Sequence, residues 1–280
     1  MNKNRNIIRI NSLLILTFLG IIFNNYLSKS QVLSNPLEPA FQFINKNYVG
    51  GFIGFGNNFQ NGKYLVNCQG CEFSGGNGLN VIVGVNRDWG LQSKLYFGVG
   101  LAYESMALNS TFREFETLED KQNGIFFDAE FRHRSKINLG LMRLMPYIRY
   151  EFLKPAFVKV GLSPGLIVSN SLVHTQAPVQ EFVYISQLNK VQRLSLDEVE
   201  LQNSKVNNLN TFQMGLNFET GLFFTVKKKT KISGSLQYYF PLTNIVNDNN
   251  NFNMSTLRFL VEIGFKTNKA EGDSMREVED

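Results

Sequence analysis

A chain of 280 residues that is 43% hydrophobic and only 18% charged has the material for a large folded domain and lacks the charge density of a disordered one. Its formal charge of +5 comes from 28 Lys and Arg against 23 Asp and Glu, and four of the bases (Lys3, Arg5, Arg9, Lys29) stand in the first thirty residues, where no acid occurs. Without those four the balance is 24 bases against 23 acids, which removes the charge argument for a nucleic-acid partner.

The first element in chain order is a targeting segment. MNKNRNIIRI is basic, and Leu13 to Phe23 (LLILTFLGIIF) is apolar apart from Thr17 and Gly20. That run is about half of the ~20 residues a spanning helix needs, so it reads as a secretory signal rather than an anchor. Ser28 and Ser30 offer small residues for cleavage near Ser30–Gln31, and no Cys at that junction invites a lipid anchor. The expected organisation is a signal peptide over 1–30, a periplasmic lead over 31–47, a barrel over 48–266 and a short polar periplasmic tail over 267–280. Beyond residue 30 no apolar segment has the length of a membrane helix, so any crossing falls to strands.

Strand signals follow one another to the C-terminus. The first is Tyr48 to Gly56, and the second sets Leu79, Val81, Val83 and Val85 against Asn80, Ile82, Gly84, Asn86 and Asp88. The third alternates Leu95, Phe97, Val99, Leu101 and Tyr103 with Tyr96, Gly98, Gly100, Ala102 and Glu104. Period two over this length predicts strands with one greasy face. LMRLMPYIRYEF and FVKVGLSPGLIVS supply strands four and five. Phe212 to Val226, KISGSLQYYF and LRFLVEIGFK supply strands six to eight.

The polar faces are rich in Gly, Ala, Ser and Asn, as the interior of a narrow barrel requires, rather than in Lys and Glu. Aromatic residues gather at strand ends (Trp89, Tyr103, Tyr150, Phe152, Tyr238, Tyr239, Phe240), in the manner of an interfacial girdle. The connections alternate as well. About twenty residues follow strand one, Met106 to about Asn138 follow strand three, and His174 to about Asn208 follow strand five. Strands two and three meet at WGLQ, four and five at LKP, six and seven at Lys227 to Thr230. Long loops on one side, tight turns and both termini on the other, predict an all-β, closed, antiparallel up-and-down transmembrane barrel of eight strands. GIFFDAEFRHRS (Gly124 to Ser135) also alternates, and reads as a β arm of the second outer loop or an upward extension of strand four. A ten-stranded barrel that also recruits STFREFETL is the alternative.

The block Leu141 to Ser169 carries a family likeness. A strand ending Pro146-x-x-Arg149-Tyr150, a tight turn, and then Val158-x-x-Gly161-x-x-x-Gly165 resembles the outer membrane protein beta-barrel domain of Bacteroidota-type bacteria, a family of small OmpA-like barrels. Tyr48 to Gly56 is similar to that family's first strand, and Gly78-Leu-Asn-Val to the opening of its second. The resemblance implies an outer-membrane location, lipid as the surroundings, assembly by the barrel-assembly machinery, and surface or secretion partners it does not identify. The family also resembles a component of the gliding and type IX secretion apparatus, and the resemblance admits kinship with it. Pro146, which cannot donate a ladder hydrogen bond, predicts a bulge in strand four.

Candidate chemistry is sparse. Cys68 and Cys71 in the first long loop are expected to form a disulfide; a redox pair lacks its βαβ setting, and a zinc site lacks partners because His133 and His174 fall in other loops. Ser169, Ser171 and His174 invite a hydrolase reading, but the serines and the histidine have opposite parity and no acid is placed to orient the imidazole. No enzyme and no cofactor are expected. By phase Asp88, Glu104, Arg149, Glu219, Arg258 and Glu262 point inward, with Arg143, Glu151 and Lys159, and Arg258 and Glu262 stand four apart on one face. A lumen that side chains fill would pair such charges into a plug. The basic run Lys227 to Lys231 is expected as a solvated periplasmic turn. The expected role is structural or interactive, displaying outer loops; the alternative is a narrow porin or a component of an outer-membrane secretion or transport apparatus.

Overall fold

The computed structural model describes residues 47–65, 72–91, 93–120, 123–185, 187–188, 190–226, 229–247 and 251–267. The expected signal segment, most of the lead, the tail from 268, and Cys68 with Cys71 lie outside the described residues.

Eight antiparallel strands form a closed ring: β1 (Asn47–Asn61), β2 (Asn77–Gly90), β3 (Leu95–Asp120), β4 (Ile125–Tyr150), β5 in two pieces (Ala156–Leu162 and Gly165–Pro178), β6 in two pieces (Phe212–Gln213 and Gly215–Val226), β7 (Thr230–Pro241) and β8 (Asn253–Thr267). Each pairs with its chain neighbours, and β1 closes on β8 from Asn47↔Thr267 to Asn61↔Asn253. Closure leaves no unpaired backbone edge around the ring, the condition for placing strands in hydrocarbon. The side-chain polarity is that of a membrane barrel. Val85 (59% exposed), Leu101 (50%), Ile148 (54%) and Phe259 (50%) face out, whereas Asn80, Glu104, Arg143 and Arg258 are buried within.

The strands are unequal, and this decides the strand count. β3 and β4 are 26 residues each, paired without interruption from Leu95↔Tyr150 to Asp120↔Ile125. About ten residues suffice to cross the bilayer. The outward face changes from Phe97, Leu101, Leu144 and Ile148 to Asn109, Asn138 and Lys136, which marks the upper limit of the lipid band. STFREFETL and GIFFDAEFRHRS are therefore the upper halves of strands three and four. They add height and no further strand, so the upward extension holds and the ten-stranded alternative falls.

Pro146 does not bulge its own strand. The pairing Val99↔Pro146 is in regular register, and the interruption lies in β5, which breaks at Ser163–Pro164 beside it. Leu144 donates to the Pro164 carbonyl across that gap (2.9 Å). A neighbour that has lost its regular ladder has no use for the donor that Pro146 lacks. A true register shift occurs higher, where Gly140 faces Ser169 but Leu141 faces Ile167, leaving Val168 as the extra residue. Before it Gly165 and Ile167 point inward; after it Leu172 and His174 do.

The short β2–β3, β4–β5 and β6–β7 connections share one end with both barrel termini, and the longer connections share the other. Short strands decorate that long-loop end. Lys63–Leu65 pairs with Glu72–Ser74, Phe182–Ile185 with Lys190–Arg193, and Val199–Ser204 extends the sheet along β5. One correction concerns the basic run: Lys231 belongs to β7 and faces inward with Ser233, Ser235 and Gln237, buried rather than solvated.

Candidate functional site

The interior has two zones. Towards the loops it is apolar. Met106 and Leu108 of β3, Ile137, Leu139 and Leu141 of β4, Ile167 and Leu172 of β5, and Met254 of β8 pack with Tyr64 and Phe73 of the first loop and Ile245, Val246 and Phe252 of the last. Tyr64 lies between Phe73 (ring centroids 5.3 Å) and Phe252 (4.7 Å). The loops thus fold inward and cap the barrel with a core like that of a soluble protein.

Towards the turns the interior is charged, and its floor begins at Glu104. This carboxylate accepts from Arg258 Nη1 (2.5 Å) and Asn80 Nδ2 (2.7 Å) on one oxygen and from Arg143 Nε on the other. Arg258 also donates from Nε to Gln237 Oε1 (2.7 Å), and the Arg143 guanidinium lies over the Tyr239 ring at 4.3 Å. Below, Lys159 bridges Glu262 (3.1 Å) and Glu219 (3.3 Å), while Asn86 donates to Glu262 (2.7 Å). Arg149 stands 3.8 Å from Asp88 and 3.9 Å from Glu262, its guanidinium stacked 3.9 Å above Phe157. Tyr147 donates to Asp88, and Lys231 closes the series by pairing with Glu151 at the turn-side mouth. Gln237 joins the two layers, because its Nε2 donates to Glu219 (2.9 Å) while its Oε1 accepts from Arg258.

Of the nine charges expected inward, eight are buried here and Glu151 is half-buried at the turn-side mouth, and the ladder is neutral. Five bases (Arg143, Arg149, Lys159, Lys231, Arg258) meet five acids (Asp88, Glu104, Glu151, Glu219, Glu262). The pairing differs from the expectation in one respect: Arg258 and Glu262 do not hold each other. Four residues along a strand is about 13 Å, so each reaches across the lumen to another strand. Little room remains. The voids beside Tyr147, Lys159 and Glu262 and beside Arg143 and Tyr239 measure about 20 Å³ and about 10 Å³, a single water's worth. A cavity of about 630 Å³ opens at the turn-side mouth, between Tyr48, Tyr96, Lys154 and Phe223.

A third cluster sits above the lipid band and was not legible in the sequence. His133 of β4 and His174 of β5 are both buried, with Nδ1 of the first 3.1 Å from Nε2 of the second. His133 Nε2 is 3.2 Å from Glu116, which also accepts from Gln176 (2.6 Å). The histidines thus do meet, although 41 residues separate them. Ser169 and Ser171 point away from His174, so no serine–histidine pair forms. Among the described residues no group of three or more His, Cys, Asp or Glu has the arrangement of a metal site.

A family model described as an outer membrane protein beta-barrel domain matches residues 12–247. No curated protein sequence matches the chain. Similar solved structures include Ail, the attachment invasion locus protein of Yersinia pestis, crystallised with the heparin analogue sucrose octasulfate (8% identity, TM-score 0.31, covering 79% of this chain and 98% of that one). Neisserial surface protein A is similar at 9% identity and a TM-score of 0.30, over 79% and 97% of the two chains. The outer membrane protease OmpT of Escherichia coli stands at 10% identity and 0.32, over 82% and 98%. No residue role is taken from these likenesses.

Proposed function

The chain belongs to the outer membrane protein beta-barrel domain family, and from that premise we propose a closed, non-conducting and non-catalytic barrel whose work is done by the structures it raises above the outer membrane. The observation that carries this reading is the lumen. An apolar cap over a neutral charge ladder, with voids of about 10–20 Å³, offers no continuous water path. A porin of the same strand number needs the reverse.

The long-loop end supplies the interactive surface. The upper halves of β3 and β4 carry Phe115 (72% exposed) and Phe126 (61%), and the Phe182–Arg193 hairpin carries Phe182 and Tyr184. Apolar side chains above the lipid band, set among Arg113, Glu119, Glu130 and Arg134, suit contact with a protein or cell surface rather than with bulk water. No hydrolytic role is assigned, since Ser169 and Ser171 face away from His174. In this reading residues 1–30 direct export, the turns face the periplasm, and the barrel-assembly machinery inserts the chain.

Protease treatment of intact cells tests the display. Cleavage within 179–211 that leaves a heat-modifiable, membrane-embedded core is expected. Full protection in intact cells, with cleavage only after the outer membrane is opened, would reverse the orientation and remove the display function.

A further inference from the structure

We propose that His133 and His174 form a proton-operated latch that holds the first outer loop against the barrel wall and releases it when both imidazoles are protonated. The latch rests on geometry. The two rings come from adjacent strands, are almost completely buried, and face each other nitrogen to nitrogen at 3.1 Å. Such a contact needs one donor and one acceptor. With no added proton, His133 Nε2–H donates to Glu116 and one N–H lies between the rings. With one added proton the arrangement survives: His133 donates from both nitrogens, to Glu116 and to His174. A second proton places N–H against N–H inside a buried site and the contact cannot persist.

The loop depends on this contact. The His174 ring meets Phe73 of the Glu72–Ser74 strand edge-on at 5.5 Å, and the His133 ring stacks on Phe112 at 4.6 Å. Phe73, itself fully buried, anchors the first loop to Tyr64 and the apolar cap. The groups facing the pair are few. β3 contributes Glu116 and, one step lower on the same face, Glu114. β5 contributes Gln176, the Val199–Ser204 strand contributes Gln202 opposite His174, and the first loop contributes Tyr64 and Phe73. Among the described residues one carboxylate, Glu116, touches the rings, and it can compensate one positive charge, not two.

Burial, and then the nearby His133, push the His174 pKa below the ordinary 6.5. The sign follows: a histidine whose folded pKa is lowered binds its proton more readily when released. The closed loop therefore has its full stability above about pH 6.5 and loses it as pH falls below that value.

Hydrogen exchange on the full barrel in detergent micelles tests the proposal, reading peptides that contain Lys63–Leu65 and Glu72–Ser74 at pH 7.5 and pH 5.0 after correction for intrinsic rates. Protection there should fall about tenfold or more at the lower pH, while the lipid-band halves of β3 and β8 stay unchanged. His174→Gln keeps an acceptor for His133 without a titrating ring, and should hold the loop closed at both pH values. Equal protection of the native loop at both pH values, or the same acid opening in His174→Gln, would overturn the latch. If that variant fails to insert, imidazole NMR of the native chain decides. One histidine titrating below 6.5 together with loop opening supports the latch, and two independent titrations near 6.5 with a still-closed loop refute it.

Discussion

The two halves of this lumen solve one problem by opposite means. Around Leu139, Phe252 and Met254 the barrel is filled as a soluble protein would be, with apolar side chains and loops folded inward. Around Glu104, Arg149 and Lys159 it is filled with ions that have no bulk water to solvate them. The apolar half gains from each contact directly. The charged half is stable only because each ion is matched, and its loss on breaking a pair exceeds what the pair contributes when whole. Both ways close the pore; they differ in how they fail.

The largest expected effect is at Glu104. Glu104→Ala leaves Arg143 and Arg258 buried around a vacated counter-ion, a cost of roughly 3–5 kcal/mol, read as a fall in the urea midpoint of the heat-modifiable form. Removing all three charges together should cost less than this single change, and a larger loss in the triple variant would contradict the account. In the apolar half Leu139→Ala should cost about 2–5 kcal/mol through a cavity, with the charged layer and the closed pore unaffected. Restoration of stability by a small apolar additive would mark the damage as a void rather than an unpaired charge.

The wall separating these interiors from lipid gives the next prediction. Val99 faces outward with Phe97 and Leu101, and Val99→Arg should cost roughly 2–4 kcal/mol near the midplane. Its neighbours give the smallest and most discriminating test. A methyl group on Gly98 would overlap the Tyr147 ring and disturb its hydrogen bond to Asp88, whereas one on Gly100 would sit 3.6 Å from its nearest atoms. Gly98→Ala should cost about 1–3 kcal/mol by overpacking, and Gly100→Ala almost nothing. Equal losses at the two positions would mean that the interior is not packed as described.

Much of this was readable in advance, because period two fixes which side of a strand a residue occupies. Asp88, Glu104, Arg149, Glu219, Arg258 and Glu262 all fall on the inner face by counting alone. Lys231 was within reach of the same rule, since it shares parity with Ser233 and Gln237, but the lysines before it gave it the look of a turn. Partner identity was beyond counting. Strand tilt and ring closure decide that Arg258 meets Glu104 rather than Glu262, and neither is written in one strand's sequence. The histidine pair needed more: two strands continued past the membrane, and the extra residue Val168 set the phase that turns His174 inward.

The most direct test of the closed lumen is single-channel recording from the purified, refolded chain in a planar bilayer. The account predicts no steady open level in the unmodified protein, and none after Arg258→Ala or Glu262→Ala, although both variants should melt at lower temperature. Steady conductance steps in the unmodified protein, growing when Glu262 is removed, would show a wet lumen and contradict it.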